Sequence, residues 1–307
     1  MGPLVISDIL RSGEAIDYGS SLMEPITTYL PTGLAAWDEA CDETGGIGLG
    51  HWWYVVVGGA SNAGKTQVML HLARRAAEHD LRPGVVTMEV PKRGLQRRVY
   101  ANVTSFGYYD FLPHRWLDGD PVAKTKLLKG ELERYSQNGG GMRSMLVHEH
   151  ERPPDLDDIM AACERLRDEG SAVIFLDHLQ LIKAPADQIS DRATEISEAL
   201  RWFAHGNKIL IVALSQLNRY ASRERDRRPT MHDLWGGTAI ESNANQVILL
   251  DHSKQSRNAN ERHILRTWLY LDKNREGPNR IEIPVEANFR TGVWREAEPD
   301  EEGLWPT

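Results

Sequence analysis

A chain of 307 residues, 41% hydrophobic and 26% charged, has the composition of a soluble globular protein and room for one large α/β domain or two small ones. Its formal net charge of -8 argues against a protein coated in basic surface, while leaving room for a local basic channel. The two cysteines, Cys41 and Cys163, form no CxxC pair, so neither a disulfide framework nor a zinc site is indicated. No apolar run approaches the ~18 residues of a membrane span, and the expected setting is reducing and cytoplasmic.

Residues 1–28 mix a short amphipathic stretch (Val5, Ile6, Ile9, Leu10) with Gly, Ser and Asp. That is too little apolar material for a core, and the segment reads either as an arm or as a disordered leader. A Thr-Gly turn then precedes Leu34, Trp37 and Cys41, and a glycine-rich run leads into the first predicted strand, Trp53–Val57. Immediately after it, Gly59–Thr66 reads GASNAGKT and matches the pattern GxxxxGK[ST]. The chemistry requires those residue types: a glycine-rich loop curls successive backbone N–H groups around phosphate oxygens, with the dipole of a following helix behind them. The expected nucleotide cradle is therefore Gly59, Ala60, Ser61, Asn62, Ala63, Gly64, Lys65, Thr66 and Gln67, with Lys65 on the β- and γ-phosphates and the Thr66 hydroxyl on Mg²⁺. The helix behind it is marked by Val68, Met69, Leu72, Ala73 and Ala76.

Gly84–Met88 is the next predicted strand, and it ends at Glu89 just before Val90 and Pro91. A carboxylate there stands at the C-terminal edge of an open sheet, where ligands bind. Residues 93–135 read as helical with a break near Pro113, and Asn138–Gly141 as a turn. A strand at Met145–His148 leads to a helix whose apolar stripe is Leu156, Ile159, Met160, Cys163 and Leu166. His148, Glu149, His150 and Glu151 alternate as metal ligands on a strand would, but a structural zinc takes four ligands and no second cluster accompanies them, so no metal is expected there.

Ala172–Leu176 is a continuous apolar run, as for a parallel strand buried on both faces, and it ends in Asp177. A lone aspartate in that place can be a helix N-cap. Its position downstream of the phosphate loop in a βα alternation favours a Walker B ligand for Mg²⁺. Residues 190–206 form a helix, Ile209–Leu214 a strand ending in Ser215 and Gln216, and Gln246–Leu250 a further strand. Thr267–Leu271 and Ile281–Val285 flank a hairpin loop at Asp272–Arg280. From Arg295 the chain holds five acids and one Arg and is expected to be disordered. The domain reading is an arm at 1–28, one domain at 29–292 and an acidic tail at 293–307.

Six segments, in register, resemble the C-terminal ATPase domain of DnaB-type replicative helicases over roughly residues 30–290. They are Thr87–Pro91 with Gln96–Arg98; Asp177–Ile182 (DHLQLI); Ala213–Arg219; Arg228 and Pro229; Asp233 and Leu234 with Ala239–Glu241; and Lys273–Arg275 before Gly277 and Pro278. The resemblance implies an α/β, RecA-like P-loop NTPase, with a mostly parallel twisted sheet flanked by helices and a C-terminal β-hairpin. It implies ATP hydrolysis with Mg²⁺ in a homo-oligomeric ring, expected to be hexameric, that travels 5′ to 3′ on single-stranded DNA and unwinds forked duplex in replication. Replication or loader proteins are the implied partners. Among residues, it implies that Glu89 polarises the attacking water and that Gln216 senses the γ-phosphate and couples it to DNA. It further implies that Lys273 and Arg275 reach the neighbouring subunit's nucleotide, Arg275 as an arginine finger. The family's primase-recruiting N-terminal domain is missing, so a minimal helicase of phage or mobile-element type is expected. The sequence departs from the family at Trp235–Thr238, where charged residues are usual, and at Asn243 and Asn245, where acids are.

Between Arg219 and Arg228 the sequence RYASRERDRR carries five Arg against two acids, just beyond the strand edge at Gln216. It reads as a DNA-contacting loop that tracks a phosphate backbone through Arg219, Arg223, Arg225, Arg227 and Arg228, or else as a solvated charge run. Backbone N–H groups of Gly236 and Gly237 can hold a further phosphate. Three rival readings stay open: a recombination- or clock-type RecA-superfamily ATPase that does not unwind, a monomeric small-molecule P-loop kinase, and an assembly ATPase recruited through the acidic tail.

Overall fold

Two-residue strands β1 (Tyr29–Leu30) and β2 (Leu49–Gly50) pair antiparallel on either side of helix α1 (Ala35–Ala40). Strands and helices then alternate. β3 (Tyr54–Gly59) leads to α2 (Lys65–Glu78), and β4 (Pro83–Thr87) to α3 (Lys92–Val103), α4 (Pro113–Trp116) and α5 (Pro121–Gln137). β5 (Leu146–Glu149) leads to α6 (Leu156–Asp168), β6 (Val173–Asp177) to α7 (Ile189–Asn207), and β7 (Leu210–Gln216) to α8 (Gly237–Asn243). Four strands close the chain: β8 (Gln246–Arg257), β9 (Ile264–Asn274), β10 (Ile281–Asn288) and β11 (Val293–Glu296). The computed structural model describes residues 29–41, 48–137, 145–185, 188–218, 221, 227–257 and 263–297. The turn expected at 138–141 and the arm expected at 1–28 lie outside them.

Nine strands form one sheet in the order β11-β10-β9-β8-β3-β7-β6-β4-β5. The six from β8 to β5 are parallel, and β8, β9, β10 and β11 pair antiparallel. This is the mostly parallel sheet with a C-terminal hairpin that the sequence led one to expect. The central parallel strands β3, β6 and β7 are buried along nearly their whole length, as strands covered by helices on both faces are. Along β3, Val55 and Val57 join the core under α2, while Tyr54 and Val56 join the opposite core with α6 and α7. Alternation along one strand thus feeds two cores. α6 starts on a capping box in which Asp155 Oδ1 accepts from the Asp158 N–H at 2.8 Å, as its acidic first turn suggested.

The pairing register fixes what lies at each end of the sheet. Gly59 pairs with Gln216 and Thr87 with Asp177 at the C-terminal ends of the parallel strands. At the other end Val55 pairs with Gln246, which in turn pairs with Asn274. The phosphate loop and the hairpin turn after Asn274 therefore emerge from opposite edges, separated along β3 by about 13 Å at ~3.3 Å per residue.

The folded chain runs past the boundary drawn at residue 292. Val293–Glu296 form β11, with Trp294 only 3% exposed, and the Glu296 carboxylate accepts the N–H groups of Ala35 (3.1 Å) and Ala36 (2.8 Å) at the start of α1. A glutamate that reads as part of an acidic tail is in fact a helix N-terminal partner, supplied from far along the chain. Residues 298–307 lie outside the described part.

Candidate functional site

Nine of the sequence-predicted residues meet at the C-terminal edge of the parallel strands. The loop after β3 reaches α2 through Gly64, whose φ of +103° sits in the left-handed region open to glycine. A Cβ there would also lie close to two rings, 3.0 Å from Trp294 and 3.2 Å from Phe289. Lys65 folds back over the loop and donates to the carbonyls of Gly59 (3.0 Å) and Ala60 (2.8 Å). Burial lowers its pKa to about 8, opposed by the charges of Asp177 and Glu89. The ammonium is thus 7% exposed and satisfied by two carbonyls at the mouth of the loop.

The Thr66 hydroxyl donates to Asp177 Oδ2 at 3.0 Å. Glu89, two residues beyond the end of β4, places Oε2 2.8 Å from Nδ1 of His178, and Nε2 of the same ring is 3.3 Å from Gln216 Nε2. Ser61, Asn62, Gly64, Lys65, Thr66, Gln67, Glu89, Asp177 and Gln216 all line one cleft of about 790 Å³. Its far wall is built from Arg98 and Asn102 of α3, Tyr108 and Tyr109, and the turn Phe289–Gly292. Gln67 reaches that wall through Phe289 O at 3.5 Å, and Asn102 Nδ2 donates to Gly292 O at 2.9 Å.

The donor set suits a hard divalent cation. Thr66 Oγ1 and the Asp177 carboxylate are oxygen donors already within hydrogen-bond distance, and ligand atoms of Glu89, Asp177 and His178 all lie within 4.8 Å of one another. Oxygen ligands with room for water and phosphate are what Mg²⁺ takes. His148 and His150 instead stack edge to face at 4.7 Å, and the Glu149 carboxylate accepts the Lys92 N–H at the start of α3.

Lys273 and Arg275 are not brought into this cleft. They stand at the opposite sheet edge, against the C-terminus of α8: the Lys273 ammonium donates to the Glu241 carbonyl and the Arg275 guanidinium to that of Ser242. The Arg275 N–H also donates to Asn245 O at 2.9 Å. Cations at a helix C-terminus are favoured by its dipole. Burial, with Arg275 and Arg201 nearby, lowers the Lys273 pKa to about 8 against the pull of Glu241.

The residues expected to touch DNA divide. Arg219, Arg223 and Arg225 lie outside the described residues. Arg227 forms a two-pronged pair with Asp233, 2.7 Å at each prong, and holds that carboxyl down to about 2. Arg228 is enclosed by Asp251, Glu282 and the face of Tyr270, 4.4 Å from the ring centroid. Arg227 thus closes the segment after β7 on itself, and Arg228 ties that segment to β8 and β10 of the sheet. The glycine pair is likewise fixed by packing: a Cβ on Gly236 would stand 2.1 Å from that of Ala193, and one on Gly237 2.6 Å from Met231 O. The Gly237 N–H is already donated to Leu234 O.

Sequence reasoning passed over His178, although it directly follows Asp177 at the sheet edge where each strand end carries a functional group. It also missed Arg98 as a cleft residue and the turn Phe289–Gly292. No local pattern signals that turn, because the antiparallel pairing of β10 with β11 places it.

A family model described as the DnaB-like helicase C terminal domain matches residues 30–292. The replicative DNA helicase DnaB of Geobacillus stearothermophilus is 25% identical over 261 residues, 82% of this chain and 53% of that protein. The chain thus spans about half the length of the curated relatives it matches. Among solved structures, one described as an ATPase domain aligns with a TM-score of 0.70 at 18% identity, covering 88% of this chain and 92% of that one. A DnaB-like replicative helicase, described with its interactions with primase, aligns at 0.71 and 19% identity, covering 96% and 67%. These likenesses establish the fold as RecA-like.

Proposed function

Because the chain belongs to the DnaB-like helicase C-terminal domain family, we propose that it hydrolyses ATP with Mg²⁺ to move along single-stranded DNA and separate duplex in replication. The observation that carries this reading is the convergence of Lys65, Thr66, Glu89, Asp177 and Gln216 on one cleft from four separate strand ends. Phosphoryl transfer asks a protein for positioning and charge stabilisation more than for covalent chemistry, and that set supplies both.

Lys65 leaves the Gly59 and Ala60 carbonyls for the β- and γ-phosphates. Thr66 and Asp177 would hold Mg²⁺, whose charge would offset that of the phosphates. Glu89 takes the proton of a water whose oxygen attacks the γ-phosphorus as the bond to the bridging oxygen breaks, releasing ADP and phosphate. Gln216 ends β7 at the point where the chain turns toward Arg219, Arg223 and Arg225, which we assign to the DNA backbone. Arg227 and Arg228 anchor that segment rather than contact DNA.

Arg275 and Lys273 cannot serve the cleft of their own chain from the opposite sheet edge, which supports a role in the site of a neighbouring copy. A ring in which each P-loop faces the next subunit's hairpin turn satisfies this arrangement, and sequential closure of such sites converts hydrolysis into movement. ATP-dependent displacement of a strand from forked DNA tests the proposal. The wild type should release it and Lys65→Ala should not; DNA-stimulated hydrolysis without displacement would transfer the chain to the non-unwinding RecA-type ATPases.

A further inference from the structure

The imidazole of His178 stands between two groups that the proposed hydrolysis uses. Nδ1 is 2.8 Å from Glu89 Oε2, Nε2 is 3.3 Å from Gln216 Nε2, and the side chain is 7% exposed. A neutral imidazole has one N–H and one lone pair, and the Gln216 amide nitrogen can only donate. With the ring neutral and the Gln216 amide nitrogen turned toward it, His178 Nε2 accepts and the ring proton sits on Nδ1, which lies 2.8 Å from Glu89 Oε2 and 3.7 Å from Asp177 Oδ1. The Glu89 contact is close but not an aligned hydrogen bond, which leaves Nδ1 as a buried nitrogen with its bond unmade. Catalytic contacts of this kind tighten when substrate arrives.

The ring has little freedom to leave. His178 is followed by a single tight turn, Leu179–Leu181, in which Leu179 is fully buried and the Leu181 N–H returns to His178 O at 3.2 Å. Gln180 of the same turn donates to Ser215 Oγ (3.1 Å) and to the Gln216 carbonyl (3.2 Å). The end of β6 thus grips the end of β7 twice, at the Gln216 backbone through Gln180 and at its side chain through His178. These contacts join the β7 end to the imidazole, whose other nitrogen faces Glu89.

We propose that His178 is a positioning residue linking the Gln216 amide to the Glu89 carboxylate, so that DNA bound beyond the end of β7 sets the hydrolysis rate through one imidazole. The proposal rests on the ATPase reading above and names how that same site is regulated. It requires no proton to be taken up or released by His178. The ring transmits orientation, and Glu89 remains the group that touches the attacking water.

Two variants separate the halves of the link. His178→Asn keeps a donor near the Nδ1 position and removes the reach to Gln216, while His178→Gln keeps a polar atom near Nε2 and leaves Glu89 unsupported. Phosphate release is measured with and without oligo(dT), beside binding of a fluorescent non-hydrolysable ATP analogue that reads the P-loop independently of turnover. His178→Asn is expected to lower the ratio of DNA-stimulated to DNA-free hydrolysis about tenfold, the size of an ordinary coupling between sites. His178→Gln cuts the same link at Glu89 and is expected to lower that ratio likewise, together with the DNA-free rate. Adding Gln216→Ala to His178→Asn should reduce stimulation no further than Gln216→Ala alone. A wild-type ratio in His178→Asn, a multiplicative loss in the double variant, or loss of analogue binding in both single variants overturns the link and leaves the ATPase reading standing. Wild-type protein whose hydrolysis ignores DNA overturns both.

Discussion

The Thr66 hydroxyl donates to Asp177 Oδ2 across 3.0 Å, joining the first turn of the phosphate-loop helix to the last residue of β6. In the proposed reaction the two oxygens of this hydrogen bond would share a cation. Asp177→Asn keeps the polar contact and removes the charge, so it should reduce phosphate release on the order of 10²-fold, and chelating Mg²⁺ should stop the wild type. An unchanged rate in the variant would remove Asp177 from the site.

The basic segment after β7 should divide into two functional classes. Arg223→Ala with Arg225→Ala is expected to weaken binding to single-stranded DNA and to reduce the slope of log affinity against log salt by about 0.7 per lost phosphate contact. Arg227→Ala is expected to leave that slope alone and lower stability by about 1 kcal/mol, since its guanidinium is spent on Asp233. Salt titrations of binding and chemical denaturation separate the two. A slope change for Arg227→Ala alone would reverse the assignment.

Much of this site is legible in the sequence because each element is marked locally. Gly59–Thr66 is a contiguous pattern, and Glu89, Asp177 and Gln216 each follow a short run that reads as a strand candidate. What sequence hides are partners fixed by tertiary pairing. Arg227 and Arg228 read as free charge in a run of charge, yet Asp233, Asp251 and Glu282 stand 6, 23 and 54 residues away and claim them. Glu296 reads as a tail acid and caps α1 across 261 residues. Gly236 reads as a flexible backbone donor, whereas the approach of Ala193 on α7 is what excludes a side chain.

Acid stability should report one buried group. His71 Nε2 meets Thr32 O at 2.8 Å, and burial lowers its pKa from 6.5 to about 4, opposed by that bond and reinforced by Arg74 and Arg75. The folded pKa is the lower, so the unfolded chain binds the extra proton between those values and stability falls as pH drops from 6.5 to 4. The loss attributable to His71 is about 3 kcal/mol, and a His71→Gln variant should show a correspondingly shallower acid dependence in denaturation midpoints. Parallel acid profiles for the two proteins would show that His71 is not the group responsible.

In the proposed assembly the P-loop cleft is half of a site, and Arg275, at the far edge of the sheet, completes the cleft of another copy. Arg275→Ala and Glu89→Gln should each be nearly inactive alone, a finger in trans being worth about 10³ to 10⁵ in rate. Mixing the two variants creates interfaces that pair an intact Glu89 cleft with an intact Arg275, so phosphate release should recover in the mixture. Mixed oligomers, verified by size, that remain as inactive as either parent would contradict the shared site.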